Sequence, residues 1–469
     1  MIDHFDFIII GSGPGGQKAA VCAAKAGKRV ALIEQDRRLG GACVHYGTIP
    51  SKTLREVALR TRGMRHPYAD TKIDLDNASI SQMLGEVGDV VSRYSATVKV
   101  QMERNGVSLF HGRASFVAAN QIRIRRRNGE SEELSAEFVI VATGSSPRHP
   151  EGIPVDHEHV LDGDSILKLA YLPRSLAVLG GGVIACEYAS IFASLGVEVT
   201  IIDRGERPLA FMDGELTSSF QDALEIIGGR YLGGRSVSNV RFDGVSKVDI
   251  KLGDGETISS EKVFVALGRS GCLDALDLDS TGLVATDRGL LEVDGHGGTR
   301  VPQIYGVGDV AGPPALATSA MEQGRRAVMH ALDLPIGRFG EIIPTGIYTI
   351  PELASVGATE AEVRENVGDV AVGRARFEEL ARAQIIGLTK GLLKIVADPN
   401  DGRLLGVHVV GEGSTELIHV GQMALIAGAR VDDLIANVFN FPTLTEAYRI
   451  AALDCANHIE ACAKKRSTD

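Results

Sequence analysis

The chain has 469 residues, of which 44% are apolar and 55 are glycine, and it carries a formal net charge of −11. That length exceeds what one hydrophobic core usually supports and calls for two or three domains. The acidic balance argues against nucleic acid or an anionic membrane as the main partner, while leaving room for local basic sites that take nucleotide phosphates.

The segment "FDFIII", residues 5–10, is an apolar run of strand length. "GSGPGG" follows, then a helical pattern over 17–27, then the strand "RVALIE". This βαβ unit sets Gly11, Gly13 and Gly16 at its first turn. The three glycines serve a tight turn, backbone approach to a pyrophosphate, and helix–strand packing. Glu34 closes the second strand, about twenty residues on, where a carboxylate accepts from ribose hydroxyls. "GGACVHYGTIPSK", residues 40–52, comes next and places Thr48 five positions after Cys43. An amphipathic pattern predicts a long helix over 77–105, and short strands lead to "EFVIVATGSSPR".

The glycine pattern then returns. Residues 175–204 give a strand, then Gly180, Gly182 and Ala185, then a helix, and "VEVTIID" ends in Asp203 beside Arg204. The chain therefore carries two dinucleotide sites. "IYGVGDV", residues 304–310, is predicted as a further strand of the first nucleotide domain, so that one nucleotide domain is inserted into the other. From about residue 343 the strands and helices lack a glycine fingerprint, and "GVHVVGEGSTELI" is predicted as a strand passing into a helix. "KKRSTD" is predicted as a frayed tail. The expected fold is α/β, with two Rossmann-like dinucleotide-binding domains, residues 1–150 with 271–342 and residues 151–270, and a C-terminal α+β domain, residues 343–469.

Six cysteines lack metal-ligand spacing, the histidines form no ligand cluster, and no metal site is expected. Free thiols point to a reducing compartment. No apolar run reaches bilayer length and the N-terminus lacks the form of a signal peptide, so a soluble, cytoplasmic protein is expected.

Seven segments in order, GSGPGG, GGACVHYGTIPSK, VATGSSPR, GGGVIACE, ALGRSG, IYGVGDV and FPTLTEAYR, carry a resemblance that spans nearly the whole chain. It resembles the FAD-dependent pyridine nucleotide–disulfide oxidoreductases. Within them it is similar to the soluble pyridine nucleotide transhydrogenases, by the threonine in GTIPSK and by IPTGIYTIPE and ARAQIIG. The resemblance implies that Gly11, Gly13, Gly16 and Glu34 hold the ADP half of FAD. It sets Gly40, Gly41 and Cys43 along the flavin, Thr143 and Gly144 in the ATG motif, and Asp309 on the ribityl chain. Gly180, Gly182 and Ala185 would receive NAD or NADP. Lys52 would pair with Glu187 beside the flavin, and residues 343–469 would form a homodimer or larger homo-oligomer.

Two departures decide the expected chemistry. The resembling disulfide reductases have a second cysteine where Thr48 stands, and a histidine where Phe441 precedes Pro442; that histidine is oriented by a glutamate matching Glu446. A hydroxyl cannot form a disulfide and a phenyl ring cannot act as a base. Cys43 is then expected as a small apolar residue, and a Si-type NAD(P)+ transhydrogenase relaying hydride through FAD is implied. Val183, where some relatives carry tyrosine, either opens the nicotinamide side or packs under its helix. His45 and His419 read as structural. Asp203 suits the NAD ribose diol and Arg204 the 2′-phosphate of NADP, with Arg207 as a helper. An NAD(P)H quinone or dye reductase, and a redox-sensing flavin interaction subunit, are the alternatives; Thr48 and Phe441 argue against a lipoamide dehydrogenase.

Overall fold

The computed structural model describes residues 2–61, 77–337, 340, 342–388 and 390–466. The chain divides into two compact units: Met1–Thr53, Leu84–His149 and Leu267–Arg338 form one, and Leu54–Met83, Pro150–Ala266 and Phe339–Asp469 form the other.

In the first unit, strands Ser108–His111, Val30–Glu34, Asp3–Ile10 and Ser131–Val141 run parallel in that spatial order. Ile304–Gly306 adds a fifth parallel strand against the end of Ser131–Val141, and the hairpin Arg113–Ala118 with Gln121–Arg125 extends the sheet antiparallel. The "IYGVGDV" run thus joins the first sheet, although it is shorter than the sequence predicts. The strand stops at Gly306, Gly308 takes a φ of +76°, and Asp309 lies in a single 3-10 turn, Gly308–Ala311. Alternation along the first strand splits the core: Phe7 and Ile9 enter one apolar cluster, Ile8 and Ile10 another. Apolar residues cover both faces, as parallel strands require. The first glycine helix, Pro14–Lys25, begins earlier than its hydrophobic pattern, because Pro14 is suited to the first turn. It packs Ala19, Ala20 and Ala23 inward. The helix Ala317–Ala331 crosses it so closely that a Cβ at Gly324 would lie 2.1 Å from the Gly15 carbonyl oxygen.

In the second unit, Gly229–Leu232, Glu198–Ile202, Ser175–Leu179, Lys262–Val265 and Val160–Leu161 form a parallel sheet. An antiparallel meander covers Val237–Phe242, Val248–Leu252 and Thr257–Ser260. The C-terminal part is an antiparallel sheet ordered Thr345–Ile347, Leu353–Gly357, Leu404–Val410, Leu392–Ala397 and Ala371–Arg376. The predicted strand-to-helix passage appears as Leu404–Val410 followed by Ser414–Ile426. The predicted tail is a correction: the last helix, Ala447–Arg466, continues through "KKR", and residues 467–469 lie outside the described residues.

A buried ionic cluster ties the parallel sheet's following helix to the C-terminal sheet. Lys394, only 2% exposed, donates to Asp213 Oδ1 at 2.9 Å and lies 2.7 Å from Glu360 and 3.2 Å from Glu215. Arg374 adds a forked contact to Glu215, with Nε–Oε1 at 2.9 Å and Nη2–Oε2 at 2.9 Å. A second buried cation, Arg55, donates to the Thr349 carbonyl at 3.0 Å and to Glu412 at 2.7 Å, with Glu352 at 3.3 Å. Burial raises the Glu352 carboxyl above its ordinary range, and Arg55 only partly opposes this. Among the described residues, no helix is long and apolar enough to cross a membrane.

Candidate active site

The first glycine turn is shaped by contact on two sides and by space on the third. Gly11 has a φ of +104°, and a Cβ there would meet the Ala142 carbonyl oxygen at 2.4 Å. A Cβ at Gly16 would meet the Gly11 oxygen at 2.0 Å. At Gly13 a Cβ would meet nothing within 4 Å, which leaves the turn open to a ligand. Gly41 lies against this turn, since its Cβ would come within 2.8 Å of the Gly13 Cα. Gly40 is the left-handed residue before the short helix Gly41–His45 that carries Cys43.

Glu34 is buried at the end of its strand. Its Oε2 accepts from the Ser12 amide at 3.0 Å and from the Ser12 hydroxyl at 2.6 Å, and its Oε1 accepts from the Asp36 amide at 2.9 Å. Ser12 Oγ in turn accepts from the Gly40 amide at 2.9 Å. This serine, an unnamed position of the glycine motif, therefore couples the Glu34 carboxylate to the turn before Cys43. Sequence reasoning missed it, and only its place between Gly11 and Gly13 signals it.

Asp309 accepts from Ser145 Oγ at 2.6 Å, and Ser145 is gripped by Arg269, whose Nε lies 2.8 Å from the same hydroxyl. Ser145 and Arg269 sit on a two-stranded ribbon, Ser145–Pro147 with Arg269–Gly271. Just before it, Thr143 Oγ1 is buried with no hydrogen-bond partner among the described residues. A buried hydroxyl of this kind calls for a partner. Together with the open Gly13 turn and the partly occupied Glu34 carboxylate, it makes the first site fit a dinucleotide cofactor such as FAD.

Cys43 and Thr48 occur on successive helices, Gly41–His45 and Thr48–Thr61. Burial pushes the Cys43 thiol up; hydrogen bonding to Thr48 and the Lys52 charge pull against it without overcoming it, and Asp309 adds to the rise. The thiol is accordingly held protonated at neutral pH, a poor nucleophile. Lys52 is half-buried one turn into the second helix, with Nζ 3.3 Å from Ser51 Oγ.

The second glycine turn repeats the first. Gly180 has a φ of +109°, and a Cβ at Gly182 would meet nothing within 4 Å. Val183 opens the helix Val183–Ser194 and is half-buried; Ala185 is fully buried within it. Glu187, on the same helix and 3% exposed, accepts from the Tyr348 amide at 2.9 Å through Oε1. One turn on, Ser190 Oγ accepts from the Ile350 amide at 3.1 Å. The helix is thus fastened to the segment 348–350 at two points. Lys52 and Glu187 belong to different compact units.

Asp203 follows the strand Glu198–Ile202, and its Oδ2 accepts from the Gly205 amide at 3.1 Å. Arg204 is exposed. Arg207 is not the helper that the sequence suggests: its guanidinium donates to the carbonyls of Met212 and Ala210 and to Thr217 Oγ1, holding the loop before the helix Gly214–Ile226. Phe441 is 69% exposed, and Glu446 accepts from the Thr443 amide at 3.4 Å, capping its own short helix. His45 binds the Leu39 carbonyl at 3.0 Å and His419 binds Gln422 at 3.0 Å.

Two glycine turns, each followed by a strand-end carboxylate, define a protein that binds two dinucleotides. The profile described as pyridine nucleotide-disulphide oxidoreductase matches residues 5–324, and that of the family's dimerisation domain matches residues 343–452. The chain belongs to this family, which is FAD-dependent and uses NAD(P). It is 42% identical to a soluble pyridine nucleotide transhydrogenase of Mycobacterium tuberculosis over 98% of both chains. It is 41% identical to a protein of the same description from Photobacterium profundum, over 97% of this chain and 98% of that one. Among solved structures it is similar to the HOCl-induced flavoprotein disulfide reductase RclA of Escherichia coli, in its Cu(II) complex, at 26% identity and a TM-score of 0.87 over 96% of this chain and 99% of that one. LpdA of Mycobacterium tuberculosis gives the same identity, TM-score and coverage.

Proposed function

We propose that this chain is an NAD(P)+ transhydrogenase of the Si type, moving hydride between NADPH and NAD+ through FAD with no redox disulfide. The observation that carries the reading is the pairing of Cys43 with Thr48: that position offers a hydroxyl in place of a sulfur partner, and burial keeps the thiol protonated. The exposed phenyl ring of Phe441, where a proton-shuttling base would otherwise stand, supports it. The full-length likeness to transhydrogenases supports the substrates.

FAD, when bound, supplies a two-electron centre that accepts hydride from one nicotinamide and returns it to another. In this reading Gly11, Gly13, Gly16 and Glu34 hold its ADP half, Gly40, Gly41, Cys43, Thr143 and Gly144 line the flavin side, and Asp309 anchors the ribityl chain. Gly180, Gly182 and Ala185 receive the nicotinamide coenzymes in turn, so that one product leaves before the other substrate enters. Lys52 holds positive charge where negative charge develops, and Glu187, the partner that the resemblance assigns to it, is fixed by the Tyr348 amide. Asp203 accepts the ribose diol of NAD, and Arg204 meets the 2′-phosphate of NADP by a charge-assisted hydrogen bond. The reading assigns residues 1–150 and 271–342 to FAD, 151–270 to NAD(P) and 343–469 to a homodimer interface, in a cytoplasmic enzyme.

The test is steady-state turnover of the purified protein with NADPH as donor. Thio-NAD+ is expected to be reduced faster than a quinone at equal concentration. Quinone reduction without thio-NAD+ reduction would favour the dye-reductase reading instead.

A further inference from the structure

The side chain that donates to Asp203 comes from the neighbouring strand. Tyr231, 9% exposed, stands on Gly229–Leu232 opposite Ile201. Its Oη lies 2.8 Å from the Gly205 carbonyl oxygen and 3.2 Å from Asp203 Oδ2. A phenol has one proton, so it donates to one of these acceptors at a time. Burial, and then the Asp203 charge, push the phenol well above its ordinary range, so it remains a donor at any working pH. The surroundings are cut to fit. A Cβ at Gly181, inside the second glycine turn, would lie 2.7 Å from Asp203 Oδ2 and 3.0 Å from Tyr231 Oη. A Cβ at Gly205 would lie 2.9 Å from the same carboxylate oxygen. The carboxylate and the phenol therefore press directly on the turn that would receive the coenzyme.

The Gly205 carbonyl has a second donor, the Gly234 amide at 3.2 Å. Turning the Tyr231 proton away from that carbonyl does not leave a buried acceptor bare. The hydroxyl is free to rotate between two satisfied arrangements without movement of any heavy atom.

We propose that Tyr231 is a positioning residue that lets one pocket accept both NAD and NADP. The proposal rests on the reading of Asp203 and Arg204 as the residues that meet the adenosine ribose. With a ribose diol, the sugar hydroxyls donate to Asp203 and the Tyr231 proton stays on Gly205. With a 2′-phosphate, ligand and carboxylate repel each other. Tyr231 then turns its proton onto Asp203 Oδ2, which holds the carboxylate against Gly181 and disperses its charge, while the exposed Arg204 takes the phosphate. The cost of losing this donor falls on NADP alone, because a hydrogen bond to a charged group is worth about tenfold or more in binding.

The experiment measures dissociation constants of NADP+ and NAD+ for the FAD-loaded protein by calorimetry, for wild type, Tyr231→Phe, Asp203→Asn and the double variant. Tyr231→Phe is expected to weaken NADP+ about tenfold and NAD+ less than twofold. In the Asp203→Asn background the same change is expected to have no selective effect, because the amide no longer repels the phosphate. Equal weakening of both coenzymes by Tyr231→Phe, or a selective effect that persists beside the neutral amide of the double variant, would overturn the proposal. If Tyr231→Phe loses its flavin, the wild-type pH profile of the two constants serves in its place: a phenol that stays protonated predicts a ratio of the NADP+ to the NAD+ dissociation constant that does not rise between pH 7 and pH 9 for want of the donor, and a rise in that range overturns it. An Asp203→Asn variant that changes neither constant would instead overturn the coenzyme assignment itself.

Discussion

Lys52→Met is expected to slow reduction of the flavin by NADPH about a hundredfold in stopped flow, with the yellow cofactor still bound. The size follows from removing one preorganised charge from a water-poor site, which costs about 10²–10³ in rate. Lys52 is half-buried on the helix that begins at Thr48, and its charge reaches the Cys43 thiol, which it helps to pull down. Methionine keeps the length and apolar bulk of the side chain and removes only the charge. Unchanged reduction would remove the role proposed for Lys52 and leave it as a helix residue.

The second large effect is on stability. Lys394→Met is expected to cost about 3–5 kcal/mol, because it strands the carboxylates of Asp213, Glu215 and Glu360 around a buried site. Burial alone would raise all three, but Lys394, with Arg374 at Glu215 and Arg364 at Glu360, brings them below the ordinary range. Burial likewise disfavours the Lys394 cation, and Glu360 and Asp213 outweigh it, so the amine lies above its ordinary value. For depressed carboxylates the stabilisation is present above their unfolded pKa values, near 4, and is lost as pH falls through the lower folded values. For the raised amine it is present below about 10.4 and is lost as pH rises through the higher folded value. Thermal unfolding between pH 3 and pH 11 is therefore expected to show the largest gap between wild type and variant across the neutral plateau, narrowing at both ends. A gap that stays constant over the whole range would contradict the ionic account of this cluster.

What the sequence makes legible is local. Apolar runs of strand length, glycines at fixed spacing and the acid at each strand end all follow from contacts between near neighbours, and the two parallel sheets form where those patterns lie. The error at "IYGVGDV" has the same origin. Its apolar residues read as one strand, yet Gly308 turns the chain and brings Asp309 beside Ser145, a partner 164 positions away. Arg207 is misjudged from sequence because its reach to Met212 and Thr217 depends on a loop conformation that composition does not reveal. Lys394 with Asp213, Arg55 with Glu412, and Tyr231 with Asp203 meet only after distant strands have packed. No periodicity announces such pairs. They are also contacts that fix carboxylates in place, so the chemistry is more legible than the means of holding it.

The central claim is that electrons pass between pyridine nucleotides with no sulfur taking part. Its most direct test is NADPH-to-thio-NAD+ turnover by Cys43→Ser beside the wild type. Serine keeps a small side chain next to Thr48 and removes the thiol. The variant is expected to retain turnover within about threefold of wild type, since a protonated thiol contributes packing rather than reactivity. Loss of turnover in a variant that still binds FAD, and whose flavin NADPH still reduces, would contradict the account.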